Sequence, residues 1–95
     1  MAYRTTLQAD DDIIAVYVRG YQEFGLTQAE RYHAGLIAAF ELIAANPRMA
    51  RERRELDPSV RLHPYQSHLI VYLIDREGVL IVRVLQGRRD WEQLL

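Results

Sequence analysis

The apolar residues of this chain change their spacing once, and that change limits what the chain can fold into. Before Asn46-Pro47 they recur three and four residues apart; from Val60 onward they recur every second residue. Helices in the first half and strands in the second describe an α+β layer, in which a sheet hides one face under helices.

Ala2 to Leu7 reads as a short opening strand, because Tyr3, Thr5 and Leu7 alternate with Arg4 and Thr6. A helix follows. Asp10, Asp11 and Asp12 crowd its first turn, where carboxylates favour the positive end of the helix dipole, and Ile13, Val16, Tyr17, Tyr21 and Phe24 recur as its core face. Gly25 ends this helix, and Thr27 with Glu30 has the form of a capping box opening the next. The second helix carries Ala29, Tyr32, Leu36, Ala39, Phe40 and Ile43 on one stripe. It stops at Asn46-Pro47, since a residue before proline is pushed out of helical conformation. So tight a turn makes the pair an antiparallel helical hairpin.

Arg48 to Ser59 holds four arginines and three acids with hardly an apolar residue, and reads as a solvated, in part helical, connection. Val60 to Tyr65 is a short strand whose proline suits a sheet edge or a strand end. Ser67 to Asp75 and Val79 to Gln86, joined at Arg76-Glu77-Gly78, form a β-hairpin that is apolar on both faces and therefore belongs near the middle of the sheet. Gly87 to Leu95 is a polar tail anchored by Trp91, with room for a final helical turn. The expected order is β-α-α-β-β-β, a helical hairpin packed on one face of a mostly antiparallel sheet.

At 95 residues the chain makes one domain with one core, and such a chain buries only about 60 to 65% of its unfolded surface. No cysteine is present, so neither disulfides nor a thiolate metal site can form, and a reducing cytoplasm is the expected compartment. No apolar run approaches the ~20 residues of a membrane helix and no apolar signal segment opens the chain, so no membrane partner is expected. The net charge of −1 argues against sequence-specific nucleic-acid binding in its own right. All 12 basic residues are arginine, so no lysine can serve as a general acid or base. Up to Pro47 three arginines face six acids; from Arg48 on, nine face seven, so the second half leans basic.

Several short stretches resemble the ParE branch of the RelE/ParE toxin superfamily. Ala9, Asp12, Ile13 and Val16 with an aromatic displaced to Tyr17 are similar to its acidic first helix. Phe24-Gly25, Gln28-Ala29, Tyr32 with Leu36, and Asn46-Pro47 also fit. His68-Leu69-Ile70-Val71-Tyr72 resembles the family's H-x-I-x-Y strand, and Ile81 to Leu85 followed by Gly87-Arg88-Arg89-Asp90 resembles its I-x-R-[IV]-L-H-x-R-x-D. Gln86 departs from the family's usual histidine, and the arginine-rich connection lacks the common glycine near Arg51.

The resemblance implies a type II toxin that inhibits DNA gyrase without catalysis and is neutralised by a cognate, ParD-like antitoxin in a hetero-oligomer, with no cofactor or metal. It implies as alternatives a RelE-like, ribosome-dependent mRNA endonuclease or an inactive antitoxin-binding member. RelE-like nucleases pair basic residues with a proton-transfer group, often lysine with a late tyrosine. This chain has no lysine, and its last tyrosine, Tyr72, lies inside a strand. A histidine variant would draw on His63 or His68 with Arg61, Arg83 and Asp90. The bland alternative makes His68 a structural strand histidine, His63 an edge residue and His33 a surface one. Arg61, Arg83, Arg88 and Arg89 with Trp91 are candidates for a target-binding basic patch, although Arg83 equally suits a structural ion pair. Tyr17, Tyr21, Leu36 and Arg83 are candidates for the antitoxin surface.

Overall fold

The computed structural model describes residues 2–87. Its elements are β1 (Tyr3–Thr5), α1 (Leu7–Phe24), α2 (Leu26–Ala45), β2 (Glu52–Arg53), β3 (Val60–Tyr65), β4 (His68–Asp75) and β5 (Gly78–Gln86). The sheet order is β1-β5-β4-β3-β2. Every neighbouring pair is antiparallel except β1 with β5, which is parallel. The helical hairpin and the central β4–β5 hairpin stand as expected.

The boundaries moved for local reasons. Thr6 is the N-cap of α1, its hydroxyl accepting the Ala9 N–H at 3.0 Å, so the helix starts a turn earlier than the three aspartates suggest and Leu7 belongs to it, not to β1. Of those aspartates only Asp10 lies in the first turn. Gly25, at φ +90°, both ends α1 and precedes α2, which leaves Thr27 inside the second helix; the capping box does not form. The connection after Pro47 is not helical. Its one regular piece is β2, two residues that pair Glu52 with Arg61 and Arg53 with Val60. Pro64 lies past the reach of β2, so its missing N–H interrupts no ladder on that side.

The core lies between α2 and the sheet. Leu36, Phe40 and Ile43 are wholly buried there against Ile70, Tyr72, Val79, Ile81 and Val84, and the Phe40 ring meets Tyr3 edge to face at 5.3 Å. On the opposite face Val60, Val71 and Leu85 gather with Leu56, Leu62 and Val82. Tyr21 and Phe24, expected in the core face of α1, are 54% and 70% exposed. They lie on a helix whose buried residues number one, Ala9.

A bulge in β5 explains how one strand serves both faces. Arg83 opposes Val71 and Ile81 opposes Tyr72, which leaves Val82 as the extra residue. Ile81 and Val84, three apart, can then both face the helices. Two peptide groups of β5 beyond its pairing with β1 are taken up by Thr6 and α1. The Thr6 hydroxyl donates to the Val82 carbonyl at 2.7 Å, and the Asp12 carboxylate accepts the Val84 N–H at 2.9 Å.

Candidate partner-binding groove

Asp12 does more than accept one peptide N–H. Its two oxygens also receive Arg83 Nε at 2.8 Å and Nη2 at 3.1 Å, a bidentate pair with both side chains under a quarter exposed. That hydrogen bond holds the guanidinium above its ordinary pKa. Arg83 therefore ties α1 to β5 as an ion pair.

Beyond that tie, α1 and α2 stand off the end of β5 and leave a groove of about 1030 Å3. One wall is Ile13, Val16, Tyr17 and Gly20 of α1, and another is Ala29 and Tyr32 of α2, with His68 and the β5 residues Arg83 to Gln86 completing it. Gly20 faces Ala29 where the helices close at the far end, and a Cβ there would stand 3.7 Å from it, an ordinary contact. Strand β1 pairs only with Val79 to Ile81, so β5 runs on past its neighbour. In an antiparallel ladder both backbone groups of alternate residues point to the same side. Since the Val84 N–H turns to Asp12, the Val84 carbonyl and the Gln86 N–H face outward beside the groove.

The polar end of the groove is an arrangement not read from the sequence. The Tyr32 hydroxyl lies 2.6 Å from His68 Nδ1, and its ring meets both Tyr65 and His68 edge to face. Burial, followed by the charge of Arg19, pushes the His68 pKa down, which favours a neutral imidazole in this contact. Arg19 bridges Glu23 and the Gln86 side chain, which stands across the ladder from His68. The signal was present, since Tyr32 and His68 each belong to a stretch that carries the family resemblance, but their separation of 36 residues hid the contact.

The other sequence candidates are dispersed. Arg61 is held to the Ala50 carbonyl, whereas Arg83 is held by Asp12 and lines the groove, so the two do not line one patch. Arg61 donates to the Ala50 carbonyl and Tyr72 to the Pro47 carbonyl at 2.8 Å, which fastens the connection after α2 to the sheet. His63 is partly buried on β3, its pKa pushed down by that burial. Among the described residues no hydrogen bond joins His63, His68, Arg61 and Arg83 to one another. Tyr17 lines the groove and meets His33 edge to face at 5.9 Å. Leu36 lines the groove from its buried floor, and Tyr21 is exposed outside the groove lining. Arg88, Arg89, Asp90 and Trp91 lie outside the described residues. Among the described residues no cluster of three or more metal-ligating side chains occurs, and no helix is long and apolar enough to cross a membrane.

Known proteins agree with this geometry. A solved structure described as a chromosomal ParDE TA system from P. aeruginosa superposes with a TM-score of 0.78 over 93% of this chain and 97% of that one, at 18% identity, which establishes the shared fold. "Toxin ParE1" of Mycobacterium tuberculosis is 38% identical over 76 residues, 79% of this chain and 78% of its own length. "Toxin ParE3" of Caulobacter vibrioides is 33% identical over 53 residues, 56% of this chain and 53% of its own. The family described as ParE toxin of type II toxin-antitoxin system, parDE, matches residues 3–91, and with these relatives it places the chain in the ParE toxin family.

Proposed function

We propose that this chain arrests growth by inhibiting DNA gyrase and that the groove between α1, α2 and β5 receives a segment of its cognate antitoxin. The observation that carries the antitoxin site is the groove itself: apolar walls beside the end of β5, which β1 does not pair past Ile81. An apolar helix face or an extended segment of a partner gains both burial and backbone hydrogen bonds there. The ParDE description of the structural neighbour supports the same partner. The gyrase target rests on family membership and on the missing lysine and late tyrosine of the nuclease relatives. On this view Arg88 and Arg89 act on the target, and the paired replacement Arg88→Ala with Arg89→Ala relieves growth arrest while leaving the melting temperature nearly unchanged.

Two measurements test the proposal. Induced expression should give filamentous cells and DNA-damage signalling while bulk translation continues; early collapse of translation with mRNA cut at the ribosomal A site would replace gyrase by the ribosome. Co-expression with a cognate ParD-like antitoxin should yield a complex in which the Gln86 amide is protected from hydrogen exchange, and an unprotected Gln86 would move the antitoxin elsewhere.

A further inference from the structure

An exposed cation stands in the groove wall, and its hydrogen bonds leave donors in excess of acceptors. Arg19 gives its Nε proton to Glu23 at 2.7 Å and an Nη1 proton to the side-chain oxygen of Gln86. A guanidinium has donors and no acceptor, so both Nη2 protons and the second on Nη1 are unspent. The Gln86 amide adds to the excess. Its oxygen is turned to Arg19, and its Nε2 protons meet no acceptor among the described residues. The Gln86 peptide N–H, on the same side of β5 as the Val84 N–H that Asp12 takes, faces outward beside them.

Charge points the same way. The other arginine of the groove, Arg83, is closed to a partner by its bidentate bond to Asp12, with both side chains under a quarter exposed. The Arg19–Glu23 pair is open, at 59% and 46% exposed, and such a pair along one helix contributes little, so Glu23 turns away to water at small cost. After burial, the charge of Arg19 is the second cause that lowers the pKa of His68, which stands across the ladder from Gln86. A segment lying in the groove takes Arg19 out of water, and a covered guanidinium with unspent donors is costly unless the segment brings an acceptor. A carboxylate brings two oxygens and the opposite charge, whereas a peptide carbonyl brings one oxygen and no charge.

With the groove as the antitoxin site, on which this reading rests, we infer that Arg19 and Gln86 together form a donor subsite that selects an acidic side chain of the antitoxin segment in place of Glu23. Gln86 stands where the family usually has histidine, so the subsite belongs to this chain and not to the family pattern.

Gln86→Glu separates selection from support. The substituted side chain keeps an acceptor for Arg19 and adds a charge to that bond, so a residue that only tied α1 to β5 would lose nothing. In the donor subsite the same change removes the Nε2 protons and sets a carboxylate against the partner's. Affinity for the cognate ParD-like antitoxin, measured by titration calorimetry, should then fall at least about tenfold, with the melting temperature of the free toxin not lowered. Arg19→Gln should weaken binding by a similar factor and remove most of the loss of affinity that the wild-type pair shows between about 50 and 500 mM salt. Unchanged affinity in Gln86→Glu would overturn the inference. So would wild-type binding that salt leaves untouched, since that outcome gives the subsite a carbonyl. Hydrogen exchange at the Gln86 amide of the wild-type complex keeps two failures apart: a protected amide with unchanged Gln86→Glu affinity removes the acidic contact alone, and an unprotected amide removes the groove as the antitoxin site with it.

Discussion

The two helices, 18 and 20 residues long and joined through one glycine, are held by different forces. Helix α2 buries Ala29, Leu36, Ala39, Phe40, Ile43 and Ala44, whereas α1 buries Ala9 alone. What α1 lacks in burial it recovers in polar ties at its start: the Thr6 cap, the Thr6 bond to the Val82 carbonyl, and the Asp12 carboxylate on Arg83 and Val84. A helix fixed by hydrogen bonds at one end keeps its apolar side chains free. In this chain those side chains form one wall of the groove and leave Leu7, Ile14 and Tyr21 exposed.

The contrast can be broken most forcefully at α2. Phe40→Ala empties a fully buried ring site and should lower stability by about 3 to 5 kcal/mol in denaturant unfolding. On α1 the largest effect should come from a polar residue. Asp12→Ala strands a guanidinium and a peptide N–H that it now satisfies, and should cost about 1.5 to 3 kcal/mol; if it costs less than Phe24→Ala, the polar-tie account of α1 fails. Gly35→Ala sharpens the comparison on the α2 side, because the added Cβ would meet the Tyr65 hydroxyl at 1.9 Å. It should destabilise by about 1 to 3 kcal/mol despite alanine's better helix propensity, and Tyr65→Phe in the same chain should recover part of the loss.

A smaller effect should follow pH. His68 and His63 both have folded-state pKa values below their ordinary 6.5, so below that pH the unfolded chain takes up protons that the folded chain refuses. Stability should be full above pH 6.5, fall as pH drops beneath it, and level once the folded histidines protonate; His68→Gln should flatten the thermal-melting profile over that window. The smallest effect belongs to the exposed side chains of α1. Ile14→Ser should change stability by no more than about 0.5 kcal/mol in denaturant unfolding.

Local signals in the sequence located both helices and the three longer strands, because periodicity and the Gly25 and Pro47 breaks act over a few residues. They failed where two local signals competed. Three aspartates outshone Thr6 as a helix start, and Thr27 with Glu30 outshone a glycine that needed no capping side chain. The candidate site was legible in parts. Of the residues placed on the partner surface, Tyr17, Leu36 and Arg83 line the groove and Tyr21 does not, because helical spacing gives a side chain its direction and not what stands opposite it.

The amino-acid sequence by itself determined the helical hairpin, the β4–β5 hairpin, the family resemblance and the order of every element except β2, since each rests on neighbours along the chain. Only the tertiary structure decided that β1 lies parallel to β5, that Val82 bulges, that Arg83 belongs to Asp12 71 residues away, and that Tyr32 meets His68. Those are pairings between distant segments, and for any one side chain the sequence offers several equally good partners. Which one it meets is fixed by the burial of Phe40, Ile43 and Ile81, which brings the helices onto the sheet in a single register.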